Sequence, residues 1–216
     1  MANTIFGSLL SPFVQTVALT LYEKGQEFES VVSDYKSAEY KATLNPFGKV
    51  PSFKDQDITL YESKAIARYI ANKYEGQGTP LFGTTPHETA LAEQWLEIHS
   101  HHFLAPLNVI GEELRKKSTD PNFDFTVMDT ALAAQGKTLD VYEARLSESK
   151  YLAGDHYTLA DLVHLPIFFI LTVVLDEERR KIITNRPHLN AWFEDMKSRP
   201  AWKKVEQPSS SYTNNY

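Results

Sequence analysis

Cysteine is absent from this chain of 216 residues. Its absence excludes disulfides, thiolate metal sites and a cysteine nucleophile at once, and it fits a reducing compartment. A surplus of positive charge is also missing. With 22 Lys and Arg against 28 Asp and Glu, the net charge of −6 speaks against a nucleic-acid partner, although a local basic patch stays compatible with it. Long apolar runs are missing too. The longest, residues 162–175, is interrupted by His164 and Pro166. It falls short of the roughly 20 residues a membrane helix needs, so it reads as a buried core helix. The start, Met1-Ala2-Asn3-Thr4-Ile5-Phe6, lacks the basic segment and apolar stretch of a secretory signal. No internal repeat is visible. What is present is an ordinary globular composition, 42% hydrophobic and 23% charged, in a length that suits one large or two small domains.

Periodicity divides the chain. Residues 4–7 are apolar enough for a first strand. From Pro12 on, Phe13, Val14, Val17, Ala18, Leu21 and Tyr22 recur at helical spacing until Lys24-Gly25 stops them. Residues 28–32 read as a second strand, and 37–44 as a polar stretch with one helical turn. Residues 50–54 and 59–61 flank Asp55-Gln56-Asp57 as a hairpin, and 63–74 form a helix. The order β-α-β-turn-β-β-α predicts one compact α/β layer. Glu75-Gly76-Gln77-Gly78-Thr79-Pro80 has no period and reads as a linker. Beyond Pro86 the pattern is helical, over about 87–117, 125–147, 158–175 and 188–199, with 176–181 as a solvated helix end or turn. Tyr157-Thr158-Leu159-Ala160-Asp161-Leu162 sets Thr158 at N-cap, Asp161 at N3 and Tyr157 against Leu162 as a staple. Such a cap is structural and contributes about 1 kcal/mol. The division is an α/β domain at 1–76, a linker at 77–86, an all-helical domain at 87–205 and a tail at 206–216 that is expected to be loose.

Two segments could hold a ligand. Asn45-Pro46-Phe47-Gly48-Lys49-Val50-Pro51 is a turn entering a proline-marked strand. A proline after an exposed valine can hold a bend that presents the N–H and C=O of Val50 to a peptide-like ligand. Tyr61-Glu62-Ser63-Lys64-Ala65-Ile66 opens a helix, whose first N–H groups are unpaired and carry partial positive charge, a ready place for a carboxylate. Together they suggest a grip on an extended, acidic small peptide. Ser11, in Gly7-Ser8-Leu9-Leu10-Ser11-Pro12-Phe13, stands where the first strand gives way to a helix. It is either an N-cap before Pro12 and nothing more, or a hydroxyl aimed at a bound thiol. In the second case the donor and the positive helix end favour thiolate over thiol. Lowering a thiol pKa from about 8.5 by about two units corresponds to about 2.7 kcal/mol. His99, His101 and His102 lack the i, i+4 pairing and third ligand of a helical metal site, so no metal is expected.

Taken in order, these pieces resemble the cytosolic glutathione S-transferases, most of all the phi class of plants and fungi. The resemblance is carried by Ser11, by the Asn45 to Pro51 motif, and by Tyr61-Glu62-Ser63-Lys64-Ala65-Ile66-Ala67-Arg68-Tyr69-Ile70. It continues through Tyr74-Glu75-Gly76-Gln77-Gly78-Thr79, Trp95-Leu96-Glu97 with His101-His102-Phe103, and the Thr158 cap. It implies an α/β thioredoxin-like N-terminal domain that holds glutathione, and an all-α helical C-terminal domain that completes a pocket for the electrophile. It implies a serine-type transferase in which Ser11 donates to the glutathione sulfur. Val50, before a cis-Pro51, would pair with the cysteinyl backbone, and Lys49 would donate to a glutathione carbonyl or carboxylate. Glu62 would take the γ-glutamyl ammonium, and Ser63 with its helix start the γ-glutamyl carboxylate.

Two departures from the family stand out. The His-Lys pair that grips the glycyl carboxylate in phi enzymes is missing, which leaves Lys36 or Lys41 for that charge. Gln15-Thr16 stand where many members have an arginine close by. Leu10, Pro12, Phe13, Phe103 and Leu107 are candidates for the electrophile pocket, and each could equally be core packing. Glutathione is then a co-substrate, with no further cofactor and no nucleic-acid or membrane partner expected. The resemblance also implies a cytoplasmic homodimer engaged in detoxification, with the N-terminal domain of one subunit against the helical domain of the other. A non-catalytic carrier of hydrophobic small molecules and a glutathione-dependent peroxidase are the alternatives.

Overall fold

Alternation into and out of a core begins at β1 (Asn3–Phe6), which buries Asn3 and Ile5 in a computed structural model that describes residues 3–213. β1 pairs in parallel with β2 (Phe28–Val31) and antiparallel with β3 (Ser52–Asp55), which pairs with β4 (Ile58–Tyr61). The sheet order is β2-β1-β3-β4. Parallel neighbours need a crossover, and α1 (Pro12–Glu23) supplies it. α1 is buried nearly all round because it packs against α3 (Ser63–Lys73) on one side and the helical domain on the other. β3 starts at Ser52, later than periodicity predicts. Pro51 has no N–H to give the ladder, and β1–β3 pairing starts after it at Ser52. A short helix, α2 (Ala38–Thr43), is capped by the Ser37 hydroxyl, which accepts from the Tyr40 N–H at 3.1 Å.

The long helix expected over 87–117 is α4 (Pro86–Ile98), a π turn (His99–Phe103) and α5 (Leu104–Lys117). Pro106 explains the break, since its ring nitrogen cannot donate to residue 102. The widened turn, closed by the Leu104 N–H on the His99 carbonyl, absorbs the mismatch. The helix expected over 158–175 is likewise split, into α7 (Leu159–Leu162) and α8 (Leu165–Val174), by Pro166. α6 (Thr126–Glu148) and α10 (Pro187–Ser198) lie close to where the pattern puts them. The acidic-basic run after Asp176 forms a helix of its own, α9 (Glu177–Thr184), because the Asp176 side chain accepts from the Arg179 N–H at 2.9 Å. α11 (Pro200–Val205) and α12 (Ser210–Thr213) follow. The expectation of a loose tail is therefore corrected over 210–213, where Tyr212 is only 1% exposed; residues 214–216 lie outside the described residues. Among the described residues no helix is long and apolar enough to cross a membrane.

Ion pairs fasten the two halves. Glu23, at the end of α1, accepts two bonds from Arg199, at 2.6 and 2.8 Å, and one from the Thr79 hydroxyl at 2.6 Å. The Arg199 guanidinium also lies 3.9 Å over the Tyr157 ring. Arg68 of α3 forms a fork with Glu93 of α4, at 2.6 to 3.0 Å. Glu23 is buried, so removing Arg199 would leave its charge stranded, whereas the more exposed Arg68–Glu93 pair is screened by water.

Candidate active site

Asn45 builds the first element of the site. Its side chain is buried, donating to the Lys49 carbonyl at 2.9 Å and accepting the Phe47 N–H at 2.9 Å. The Tyr40 hydroxyl donates to the same carbonyl at 3.0 Å. The Lys49 carbonyl is thus held, and Val50 follows before the cis peptide with N–H and C=O groups unpaired among the described residues. Gly48 has φ +57°, and a Cβ there would lie 2.7 Å from Lys41 Cε. The Lys41 side chain therefore crosses the turn directly. Lys36 and Lys49 are exposed, and the Lys36 N–H bonds to the Asp34 carboxylate at 3.1 Å.

The second element follows across the sheet. Ser52 is paired with Tyr61, so one step beyond that register Pro51 and Glu62 are neighbours. Glu62 has φ +70° and ψ +107°, a backbone state that costs an ordinary residue on the order of 1–3 kcal/mol. No side chain caps α3. Its first internal bond runs from the Ile66 N–H to the Glu62 carbonyl at 3.0 Å, which leaves the N–H groups of Ser63, Lys64 and Ala65 without helical partners. Lys64 turns toward the helical domain, where Nζ meets the Ser100 hydroxyl and lies 3.4 Å from His99 Nδ1. Burial lowers its pKa, and the Glu97 charge offsets part of that shift.

Ser11 is the third. Its backbone is extended and its carbonyl accepts the Gln15 N–H at 3.0 Å, as an N-cap should, yet its hydroxyl makes no cap bond. Gly7 brings this loop close to Val50: its φ is +143°, and a Cβ would sit 2.6 Å from Val14 and 3.0 Å from Val50. Ser11, Leu10, Pro12, Phe13, Val50 and Leu107 share the lining of one cavity of about 560 Å³. The remaining walls are largely apolar side chains of α5 and α8, with Tyr212 from α12. That volume suits a drug-sized molecule.

Comparison with known proteins names this arrangement. Residues 5–78 match the glutathione S-transferase N-terminal domain and 107–200 the glutathione S-transferase C-terminal domain. The chain is 40% identical to glutathione S-transferase F13 of Arabidopsis thaliana, over 95% of both chains. This chain belongs to the glutathione S-transferase family. Its phi-like character rests on relatives of the same kind, including a glutathione S-transferase of Hyoscyamus muticus, 38% identical over 95% of this chain and 98% of the relative. Glutathione transferase F7 from Populus trichocarpa superposes with a TM-score of 0.87 at 36% identity, covering 99% of this chain and 100% of its own. Maize glutathione S-transferase I, solved with an atrazine glutathione conjugate, superposes with a TM-score of 0.84 at 30% identity over 99% of each. The thioredoxin-like first domain and the helical second domain follow the family's architecture.

One expected pocket residue of this transferase is corrected. Phe103 does not line the cavity: it is fully buried, stacked on His99 at 5.2 Å and edge-on to His164 at 4.7 Å. The π turn that ends on Phe103 puts it in the core of the helical domain instead. Among the cavity residues that the sequence does not single out are Tyr212 and Arg115. Tyr212 was hidden in a serine-rich tail, and it accepts a hydrogen bond from the buried Gln15 side chain. Arg115, within the helical pattern of α5, also lines the cavity.

Proposed function

We propose that this transferase conjugates glutathione to hydrophobic electrophiles, with the Ser11 hydroxyl stabilising the glutathione thiolate. The observation that carries this reading is a helix-start hydroxyl unused by its own cap, placed at an apolar cavity beside the unpaired Val50 backbone. Glutathione would lie with its cysteinyl backbone on Val50, next to the buried Pro51. Its γ-glutamyl carboxylate would meet Ser63 and the free N–H groups of α3, with the ammonium against Glu62. Lys49 would donate to a carbonyl or carboxylate. For the glycyl carboxylate we favour Lys41 over Lys36, because its side chain already crosses Gly48. The sulfur then sits between Ser11 and the electrophile. It forms the new bond to carbon as the leaving group departs or the acceptor takes a proton. A thiolate is nucleophilic enough that alignment and charge stabilisation suffice, with no metal or further cofactor. The maize relative's bound glutathione conjugate supports a product of this class.

We further read the protein as a cytoplasmic detoxification enzyme acting as a two-fold dimer. The absence of cysteine fits that compartment. Phe47 is 67% exposed and meets Tyr61 edge-on, an aromatic pair that a second subunit would cover. Ser11→Ala should lower kcat/KM for a generic aryl halide by about a hundredfold, the equivalent of about 2.7 kcal/mol, while glutathione binding changes little. Equal turnover in the variant would remove Ser11 from its role.

A further inference from the structure

The cavity beside Ser11 ends on a cation. Leu107, Asn108, Gly111 and Arg115 of α5 all line it, at the spacing that puts them on one face of the helix. From Leu107 to Arg115 this stripe runs about 12 Å. Gly111 leaves the stripe open, and the nearest atom to a Cβ built there is Arg115 Nη1 at 4.0 Å. The guanidinium therefore lies over the glycine rather than pointing away from the cavity. Its surroundings make it unusual. No Asp or Glu among the described residues lines the cavity. Among the described residues the exposed Arg115 guanidinium donates no hydrogen bond and forms no ion pair, whereas the side chain of every other arginine donates at least one. An unpaired cation over an apolar wall recognises a molecule with an apolar body and an acid group, and the fork of a guanidinium matches a carboxylate best.

We propose that Arg115 is a specificity-determining residue that selects electrophiles carrying a carboxylate at the end of an apolar body. The body lies along Leu107 and Ile110, the reactive carbon faces the sulfur at Ser11, and the carboxylate reaches Arg115. This rests on the conjugation reading only for the word electrophile; the acid preference of the cavity does not need it. The position also sets a length requirement. A carboxylate held close to the reactive ring stays near Ser11, whereas one on a longer chain reaches the cation.

The test uses chloronitrobenzamides of ω-amino acids of increasing length, each paired with its methyl ester. The thiolate sulfur bonds to the ring carbon and chloride leaves, so both members of a pair react alike and differ only at the far end. In the wild type the acid should exceed its ester in kcat/KM by about tenfold at low salt once the chain is long enough, and less at high salt. Arg115→Gln should bring the ratio to about one, and Arg115→Lys should keep part of it. Calorimetry with chloride-free analogues should give the same ratios in Kd. A wild-type ratio of one at every length, or a ratio unchanged in Arg115→Gln, overturns the proposal. Absent turnover of both compounds, with Kd ratios that still follow Arg115, would sink the conjugation reading and leave this inference standing.

Discussion

A serine at a helix start ordinarily spends its hydroxyl on the N–H groups of the first turn, and Ser11 does not. Its neighbour Gly7 makes the site possible by letting two loops approach. Gly7→Ala would force a side chain into a positive-φ position and onto Val14 and Val50. We expect a lower Tm and a raised KM for glutathione, whereas Gly25→Ala, with open space around it, should leave KM alone. The lysines divide in the same way. Lys41→Ala should raise KM for glutathione several-fold and Lys36→Ala hardly at all, measured at saturating electrophile; the opposite order would return the glycyl carboxylate to Lys36. A serine before a proline, a proline-marked strand and a helix start are local signals, so the chain alone draws attention to Ser11, Val50 and Glu62 as candidates. Arg115 and Tyr212 carry no such signal. They reach the site only through packing between elements distant in sequence.

Among the elements, the start of α7 is the most tightly specified. Asp161 is buried and accepts from the Thr158 and Leu152 N–H groups, each at 2.9 Å, and from Trp192 Nε1 at 3.0 Å. Burial pushes its carboxyl up to about 6, and those donors pull the other way. Asp161→Ala would strand all three donors and should cost about 3–5 kcal/mol, read as a fall in the urea midpoint. The capping box was visible in the sequence because Thr and Asp at that spacing report their own chemistry. The helix breaks at Pro106 and Pro166 do not follow from periodicity, which runs straight through both prolines even though Pro166 visibly interrupts the apolar run. Nor does α12. A lone tyrosine among serines becomes a core residue only where Phe169 and Gln15 wait for it.

The molecule as a whole carries a pH dependence in its helical core. His164 donates Nδ1–H to the Ala160 carbonyl at 2.7 Å and its Nε2 lies 3.0 Å from the Tyr142 hydroxyl, while its complete burial favours the neutral ring. Burial pushes its pKa down to about 3, and that of the adjoining His99 is held well below its usual value by burial and by His164. Both folded values lie below the unfolded one. Their stabilisation is complete above the unfolded pKa of about 6.5. It is lost as pH falls from there toward 3. Asp161 works in the opposite direction, since its raised pKa favours the fold at low pH. Comparing the wild type with His164→Gln isolates the histidine: the variant should be less stable at neutral pH and lose stability less steeply on acidification, by roughly 1 kcal/mol per pH unit. Equal slopes would mean that His164 keeps its ordinary pKa.

Activation of the sulfur is open to observation without any electrophile. The ultraviolet absorbance of the thiolate, titrated in the complex with glutathione, reports the thiol pKa in place. In the wild type it should fall about two units below the free value of about 8.5, and in Ser11→Ala it should return close to that value. The same depressed pKa in both proteins would contradict the role of Ser11.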